Sequence, residues 1–130
     1  MNANELMIGD YVINTEFDKN KVEKVEIIGG TRVWLSDENE YTPIVYVEPI
    51  DLTMDILLKN GFTKKFDYKC TLFYEDYYDL YAWEFNDEMW QICGHSREFA
   101  GIPDQQVDVC YVHELQHALR LFGIDKEIEL

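Results

Sequence analysis

Three residues near the end of the chain match a metal-site pattern. His113, Glu114 and His117 form the sequence His-Glu-x-x-His. On a helix, two histidines four residues apart lie on one face and can bind zinc, and the glutamate between them can act as general base on a zinc-bound water. With only three fixed positions, this pattern also arises by chance. It makes a small zinc-dependent hydrolase one hypothesis for the function.

The predicted helix around this pattern argues against catalysis. At about 100° per residue, its apolar residues converge on one stripe, and both histidines fall away from that stripe and are expected to face water. The stripe consists of Val112, Leu115, Leu119 and Phe122. A catalytic zinc also needs a third protein ligand, and no further histidine occurs in residues 119–126. We therefore expect no catalytic residue, no metal and no cofactor.

The three cysteines offer little additional chemistry. Cys70, Cys93 and Cys110 are odd in number and lack Cys-x-x-Cys spacing, which favours reduced thiols in a cytoplasmic protein. A metal site that joins Cys110 to the two helix histidines, or that adds Cys93 and His95, does not have a common zinc spacing. Cys93 and His95 would project to the same face of a strand, but nothing marks Cys93 as an activated nucleophile.

A second feature is an acidic and aromatic stretch over residues 73–90. It contains six acidic and eight aromatic residues and no Lys or Arg. Exposed Tyr and Trp beside carboxylates are suited to contact a protein partner and to stack on Arg. The alternative is a solvated acidic rim on an ordinary aromatic core. The candidate partner-binding residues are Glu75, Asp76, Tyr77, Tyr78, Asp79, Trp83 and Glu84.

These observations lead to three hypotheses for the function. The favoured one is a non-catalytic accessory or interaction protein that binds a basic protein partner through the acidic and aromatic surface. Carboxylates at alternate strand positions lie about 6.6–6.8 Å apart, which is near the spacing of successive phosphates along a nucleic-acid strand. A narrower form of this hypothesis is therefore a nucleic-acid mimic that inhibits a nucleic-acid-binding protein. The alternatives are the zinc hydrolase and a structural or assembly component of a virion or mobile element, which would form homo-oligomers.

Composition limits the classes of partner. The 130 residues include 26 Asp and Glu against 11 Lys and Arg, a formal net charge of −15, and 47% are hydrophobic. Such a chain can bury a core, but its charge disfavours direct contact with nucleic acid and with anionic membranes. The first residues do not resemble a signal peptide, and no apolar run approaches the length of a membrane span. We expect a cytoplasmic protein.

The patterning predicts an α+β fold in two parts, residues 1–50 and 51–130. Short alternating segments, with a Gly29-Gly30 hairpin signal, predict a small SH3-like β-barrel or twisted sheet in the first part. Its expected strands are residues 10–14, 21–28, 31–35 and 41–47. Pro43 in the last of them indicates that this strand lies at an edge or is bent there.

The second part is predicted to be an antiparallel sheet with a short helix and a C-terminal packing helix. Thr53 is suited to cap a helix over residues 54–60, and Gly61 to end it. Strands are expected near residues 62–66, 70–75, 77–85, 89–93 and 106–110. Residues 94–104 read as a loop, residues 111–122 as the strongest helix, and residues 124–130 as strand or coil.

Three segments together resemble a group of short uncharacterised proteins of gut anaerobic bacteria, their phages and other mobile elements. They read ANELMIGDYV at residues 3–12, EPIDLT followed by LLKNGF in residues 48–62, and YVHELQH at residues 111–117. In that group the last motif usually reads YVHQLQN, without an acid at the place of Glu114 or a ligand at the place of His117. The resemblance implies that this helix is structural, and it supplies no activity or functional residue.

Overall fold

The computed structural model of the chain describes residues 1–66, 71–86, 89–94 and 105–130. The chain divides into two compact units, Met1–Asp51 and Leu52–Leu130, where the sequence indicated a boundary after residue 50. Each unit contains a five-stranded antiparallel sheet. The two α-helices of the described residues belong to the second unit. The predicted α+β class is confirmed.

The sheet of the first unit has the strand order β4-β3-β2-β1-β5. The last strand, β5, returns to pair with the first, β1. The strands of the sheet are β1 (Tyr11–Asn14), β2 (Lys21–Gly29), β3 (Arg32–Leu35), β4 (Thr42–Pro43) and β5 (Val47–Glu48). Alternation along the strands turns one apolar face inward. The resulting core contains Leu6, Val12, Val25, Val33, Leu35 and Val47.

The prediction of one strand over residues 41–47 was wrong. The segment forms two short strands, β4 and β5, separated by the 3-10 helix Ile44–Tyr46. Pro43 lies in β4 at the edge of the sheet, as expected for a residue that cannot donate to a ladder. The backbone then turns, so that the carbonyl of Tyr46 accepts a hydrogen bond from Thr15 instead of continuing the ladder with β3.

A buried polar network joins three segments of the first unit. The amide of Asn14 donates to Glu23 Oε2 at 2.7 Å and to Glu38 Oε1 at 3.0 Å, and Glu23 Oε1 accepts from the backbone N–H of Asp37. The hydrogen bond from Lys19 holds the pKa of the Glu38 carboxyl below its usual range. The network therefore satisfies a glutamate, Glu23, that is buried within the unit.

The sheet of the second unit follows the chain, in the order β10-β9-β8-β7-β6. Its strands are β6 (Thr63–Phe66), β7 (Thr71–Glu75), β8 (Leu80–Asn86), β9 (Met89–Gly94) and β10 (Gln105–Val109). Two boundaries differ from the prediction. Residues 76–79 form a turn before β8, and Gly94 ends β9 instead of opening a loop. The remaining residues of the predicted loop, 95–104, lie outside the described residues.

Helix α2 (Val112–Leu121) packs against β10, and Phe122 in the turn after it lies beside Gly94 of β9. Gly94 is essential to this packing, because an added Cβ would lie 2.7 Å from Cδ2 of Phe122 and 3.0 Å from the Leu80 side chain. The inner face is formed by Phe73, Leu80, Ala82, Trp90 and Ile92, all buried. The indole N–H of Trp90 donates to the carbonyl of Leu52 at 3.1 Å, which ties the start of the unit to the sheet.

Helix α1 (Met54–Lys59) begins and ends as predicted within one residue. Thr53 Oγ1 accepts from the N–H of Ile56, and Gly61 follows with a left-handed φ of 91°. The side chain of Asn60 accepts from the N–H of Glu129 and donates to its carbonyl, both at 2.8 Å. This amide holds the C-terminal segment, residues 124–130, which contains neither helix nor strand.

The replacement Gly94→Ala is expected to lower the free energy of unfolding of the second unit by about 1–3 kcal/mol, since the new methyl group overlaps buried side chains. Urea denaturation followed by hydrogen exchange of β8 and β9 measures this. Gly29→Ala is the control, because its methyl group would meet nothing closer than the Arg32 carbonyl at 3.8 Å. Equal losses in both variants would contradict the packing role of Gly94.

Candidate functional site

The β7–β8 turn is organised by the carboxylate of Glu75. Its Oε1 accepts from the backbone N–H of Tyr77 at 3.1 Å, and its Oε2 accepts from that of Tyr78 at 2.8 Å. Glu75 has the same strand parity as buried Phe73, and only 4% of it is exposed. It lies beside Gly61, where an added Cβ would be 3.7 Å from the Glu75 side chain, an ordinary van der Waals contact. Glu75 was a candidate contact residue in the sequence, but the structure places it inside the turn.

The other end of the turn is fixed by a side-chain hydrogen bond. The hydroxyl of Tyr74 donates to Oδ1 of Asp79 at 2.9 Å. Asp79 adopts a left-handed φ of 57°, a conformation that Asp tolerates better than most residues. The hydrogen bond to Asp79 is the main cause that raises the pKa of Tyr74 to about 12. Both ends of the turn are thus held by side chains of its own hairpin.

This arrangement presents Tyr77 to solvent. Tyr77 is 77% exposed, and its ring meets the ring of half-buried Tyr78 edge to face, with centroids 4.6 Å apart. The exposed carboxylate of Asp76 precedes it, and half-buried Asp79 follows two residues later. The turn therefore combines one protruding aromatic ring with flanking carboxylates on a backbone that has little freedom to move.

Strand register places three further aromatic residues, Tyr74, Tyr81 and Trp83, on the outer face of the sheet. Tyr74 lies opposite Tyr81, and Trp83 lies opposite Gln91, so these four side chains share the outer face of the sheet. The rings of Tyr74 and Tyr81 are 4.7 Å apart, and the indole N–H of Trp83 donates to Gln91 Oε1 at 2.7 Å. Trp83 is half-buried. Gln91 was not among the predicted site residues, because only the register reveals it.

Glu84 is the remaining predicted contact residue. It is exposed near the end of β8, where the pairing with β9 shifts register between residues 84 and 86. Asp87 and Glu88, which belong to the same acidic stretch, lie outside the described residues. The structure thus brings Asp76, Tyr77, Tyr78 and Asp79 together in the turn, and it places Trp83 and Glu84 farther along β8.

The second candidate motif lies on α2. The prediction that His113 faces water was wrong, whereas His117 is half-buried. His113 is only 3% exposed. Its ring stacks on that of Tyr111, with ring centres 5.7 Å apart, and meets the ring of His117 edge to face, with centres 5.6 Å apart. The reason is that α2 is covered over a broad face and not along one stripe. Its buried residues are Val112, His113, Leu115, Gln116, Ala118 and Leu119. The predicted apolar stripe itself is confirmed.

Glu114 serves as the cap of α2. Its Oε1 accepts from the backbone N–H groups of Cys110 and Tyr111, at 2.9 and 3.1 Å, and so supplies an acceptor at the start of the helix. Glu114 and His117 also line a surface cavity of about 210 Å³ together with Val107, Asp108, Ala118 and Leu121. A general base would need a carboxylate directed at bound water. Here the carboxylate is directed at the backbone.

A metal centre receives no support from the described part of the chain. Within it, no three His, Cys, Asp or Glu side chains are grouped so that they could hold a metal ion. Cys93 and Cys110 carry thiols that are not joined in a disulfide. Cys70 and His95, which the sequence offered for thiol or metal chemistry, lie outside the described residues.

Comparisons of the chain with protein families, with curated proteins and with solved structures give no match. Among the described residues, no helix is both long and apolar enough to cross a membrane.

Removal of the helix cap tests the role of Glu114. Glu114→Ala should lower the free energy of unfolding of the second unit by about 1 kcal/mol, because two backbone N–H groups lose their acceptor. Thermal unfolding with and without a chelator measures this, with the exposed Glu127→Ala as control. Protein that melts at a lower temperature in chelator would contradict a purely structural role of the motif.

The hydrogen bond between Tyr74 and Asp79 gives a prediction at high pH. A tyrosine with a raised pKa adds stability that is fully present below its ordinary pKa near 10 and is lost as the pH rises through about 12. In Asp79→Asn the pKa of Tyr74 should return towards its ordinary value. NMR titration of the Tyr ring carbons measures the pKa of Tyr74 in the original chain and in the variant. An unchanged pKa of Tyr74 in this variant would refute the assignment.

Proposed function

We propose that this chain is a non-catalytic interaction protein that binds a basic protein partner through the β7–β8 turn. The contact residues are Asp76, Tyr77, Tyr78 and Asp79. Trp83 extends this surface along the outer face of β8, whereas the neighbouring Glu84 has the parity of the inner face. The observation that carries the proposal is the exposure of Tyr77, between carboxylates, on a turn held by buried Glu75.

The fixed backbone favours binding because little conformational entropy remains to be lost. Ordering a mobile loop at an interface reduces affinity, whereas a preorganised loop avoids most of that cost. Tyr offers a large, rigid and amphipathic contact area, and it is enriched among the residues that dominate binding energy. Tyr77 has these properties together with a turn that both Glu75 and Tyr74 hold in place.

The charge of the surface indicates the chemistry of the partner. The stretch from residue 73 to residue 90 itself contains no Lys or Arg, and Lys65 of the neighbouring strand β6 lies over the ring of Tyr74, 4.5 Å from its centre. Carboxylates beside an aromatic ring suit the guanidinium group of Arg, which can pair with the former and stack on the latter. A net charge of −15 also accelerates encounter with a basic protein. Such a partner is proposed to meet the chain in the cytoplasm.

Nucleic-acid mimicry is a narrower form of this proposal, but the described residues do not present the row of carboxylates on which it was based. It was based on carboxylates at alternate positions of a strand. Glu75 instead points into the fold, and Asp76 and Asp79 lie in the turn. We therefore propose a basic protein partner without a phosphate-like row of charges.

The two alternative functions have less support. A zinc hydrolase would use Glu114 as general base, but this carboxylate caps the helix. An assembly component would bring acidic copies of the chain together, and like charges oppose such contacts.

The test uses a labelled synthetic peptide that alternates Arg and Gly, with the matching citrulline peptide as its uncharged equivalent. The Tyr77→Ala variant and the double variant Asp76→Asn with Asp79→Asn should each bind the Arg peptide about tenfold more weakly, a loss typical of a central contact. The citrulline peptide should bind poorly to every form. Fluorescence anisotropy at low and high salt measures the affinity, which should fall with salt.

The matched control removes the same charge elsewhere in the second unit, through Asp55→Asn with Asp125→Asn at two exposed positions. This control should lose less than threefold in affinity. Equal losses in the site variant and the control variant would show that the peptide senses only net charge, and would refute the proposed site. Glu75 is left unchanged because its replacement would disturb the turn.

A further inference from the structure

The first unit contains a loop with an unusual combination of strain and exposure. In the β1–β2 loop, residues 15–20, Phe17 has φ 56° and ψ 33°, the left-handed conformation that costs energy for a residue with a bulky side chain. Asp18 and Asn20 have positive φ as well, but Asp and Asn tolerate it. The ring of Phe17 is 82% exposed. The strain therefore does not serve to bury this side chain.

The surrounding unit holds the loop in this conformation. The N–H and the hydroxyl of Thr15 both donate to the carbonyl of Tyr46, at 2.8 and 2.9 Å, and the N–H of Glu16 donates to Oδ1 of Asn14 at 2.9 Å. Lys19 in the same loop pairs with Glu38 at 2.7 Å. Strained residues persist where neighbouring interactions over-determine them, and such residues concentrate at functional sites.

A second apolar element lies beside this loop. The bonds of Thr15 join the loop to the 3-10 helix Ile44–Tyr46, in which Val45 is 77% exposed and Tyr46 is also exposed. The loop and the helix thus both direct apolar side chains to solvent. A rigid, protruding aromatic ring with apolar neighbours has the character of an anchor that fills a pocket on a partner.

Acids outnumber bases in the segments around Phe17. Glu16 and Asp18 flank it in sequence, and exposed Glu48 lies on β5, the strand that pairs with β1. The Nζ of Lys19 is 5.9 Å from the centre of the Phe17 ring, but both Lys19 and Lys21 are paired with carboxylates that follow β3. The acids beside Phe17 therefore complement basic groups, and they oppose both an anionic membrane and a second copy of this acidic chain.

We propose that the β1–β2 loop is a protein-docking site at which Phe17 enters an apolar pocket rimmed by Lys or Arg on a partner. The site uses residues of the first unit alone. It does not depend on the function proposed for the β7–β8 turn.

The probe for this site is an amino-substituted β-cyclodextrin, whose apolar cavity is rimmed by ammonium groups, with neutral β-cyclodextrin as its uncharged equivalent. NMR titration of the full-length chain should shift the amides of residues 16–19 and show contacts between the Phe17 ring and the cavity. Phe17→Gly should weaken binding at this loop about tenfold or more. Glu16→Gln with Asp18→Asn should weaken binding of the charged probe and leave the neutral probe unaffected.

Variants separate this site from the β7–β8 turn and from a structural role of Phe17. Tyr77→Ala should leave the shifts of the loop amides unchanged. The melting temperature of Phe17→Gly should not fall, because Gly relieves the left-handed strain and little packing is lost. Three outcomes would each overturn the proposal. They are a fall of several degrees in the melting temperature of Phe17→Gly, no shift of the loop amides on addition of the charged probe, and loop shifts that grow with protein concentration alone.

Discussion

Backbone N–H groups at the ends of strands and helices need acceptors, and here acidic side chains supply several of them. Glu75 accepts from two N–H groups of the β7–β8 turn, Glu114 from two at the start of α2, and Glu23 from one after β3. A buried N–H without an acceptor would cost more than the bond itself contributes. The turn, the helix start and the first unit's loops all depend on these carboxylates.

This use of acids changes how the composition should be understood. The formal charge of −15 counts every carboxylate equally, yet Asp10, Glu23 and Glu75 are buried within their units. Asp10 accepts from the N–H of Met7 at 2.7 Å, another bond that closes a turn. The exposed carboxylates, Asp18 and Asp76 among them, are therefore fewer and more localised than the sequence implies.

The elements were largely predictable, because alternation, caps and glycines act locally. Thr53, Gly61 and the apolar stripe of 112–122 identified both helices. The site was less predictable, since neither strand parity nor turn position could be read from a stretch rich in aromatic residues. The turn at 76–79 contains no Gly or Pro, and Asp79 supplies its left-handed position. Whether Glu75 faces inward, and how far His113 is covered, depend on tertiary packing.

The hydrogen bonds by which Glu75 holds the β7–β8 turn have a consequence for how the turn can vary in sequence. The residue that holds the backbone, Glu75, lies before the turn, whereas the residues that meet solvent lie within it. Side chains at positions 76 and 77 can therefore change without loss of the fold, provided that the length of the turn is kept. The surface that the turn presents to solvent can therefore be altered by very few substitutions while the hydrogen bonds that fix its backbone are kept.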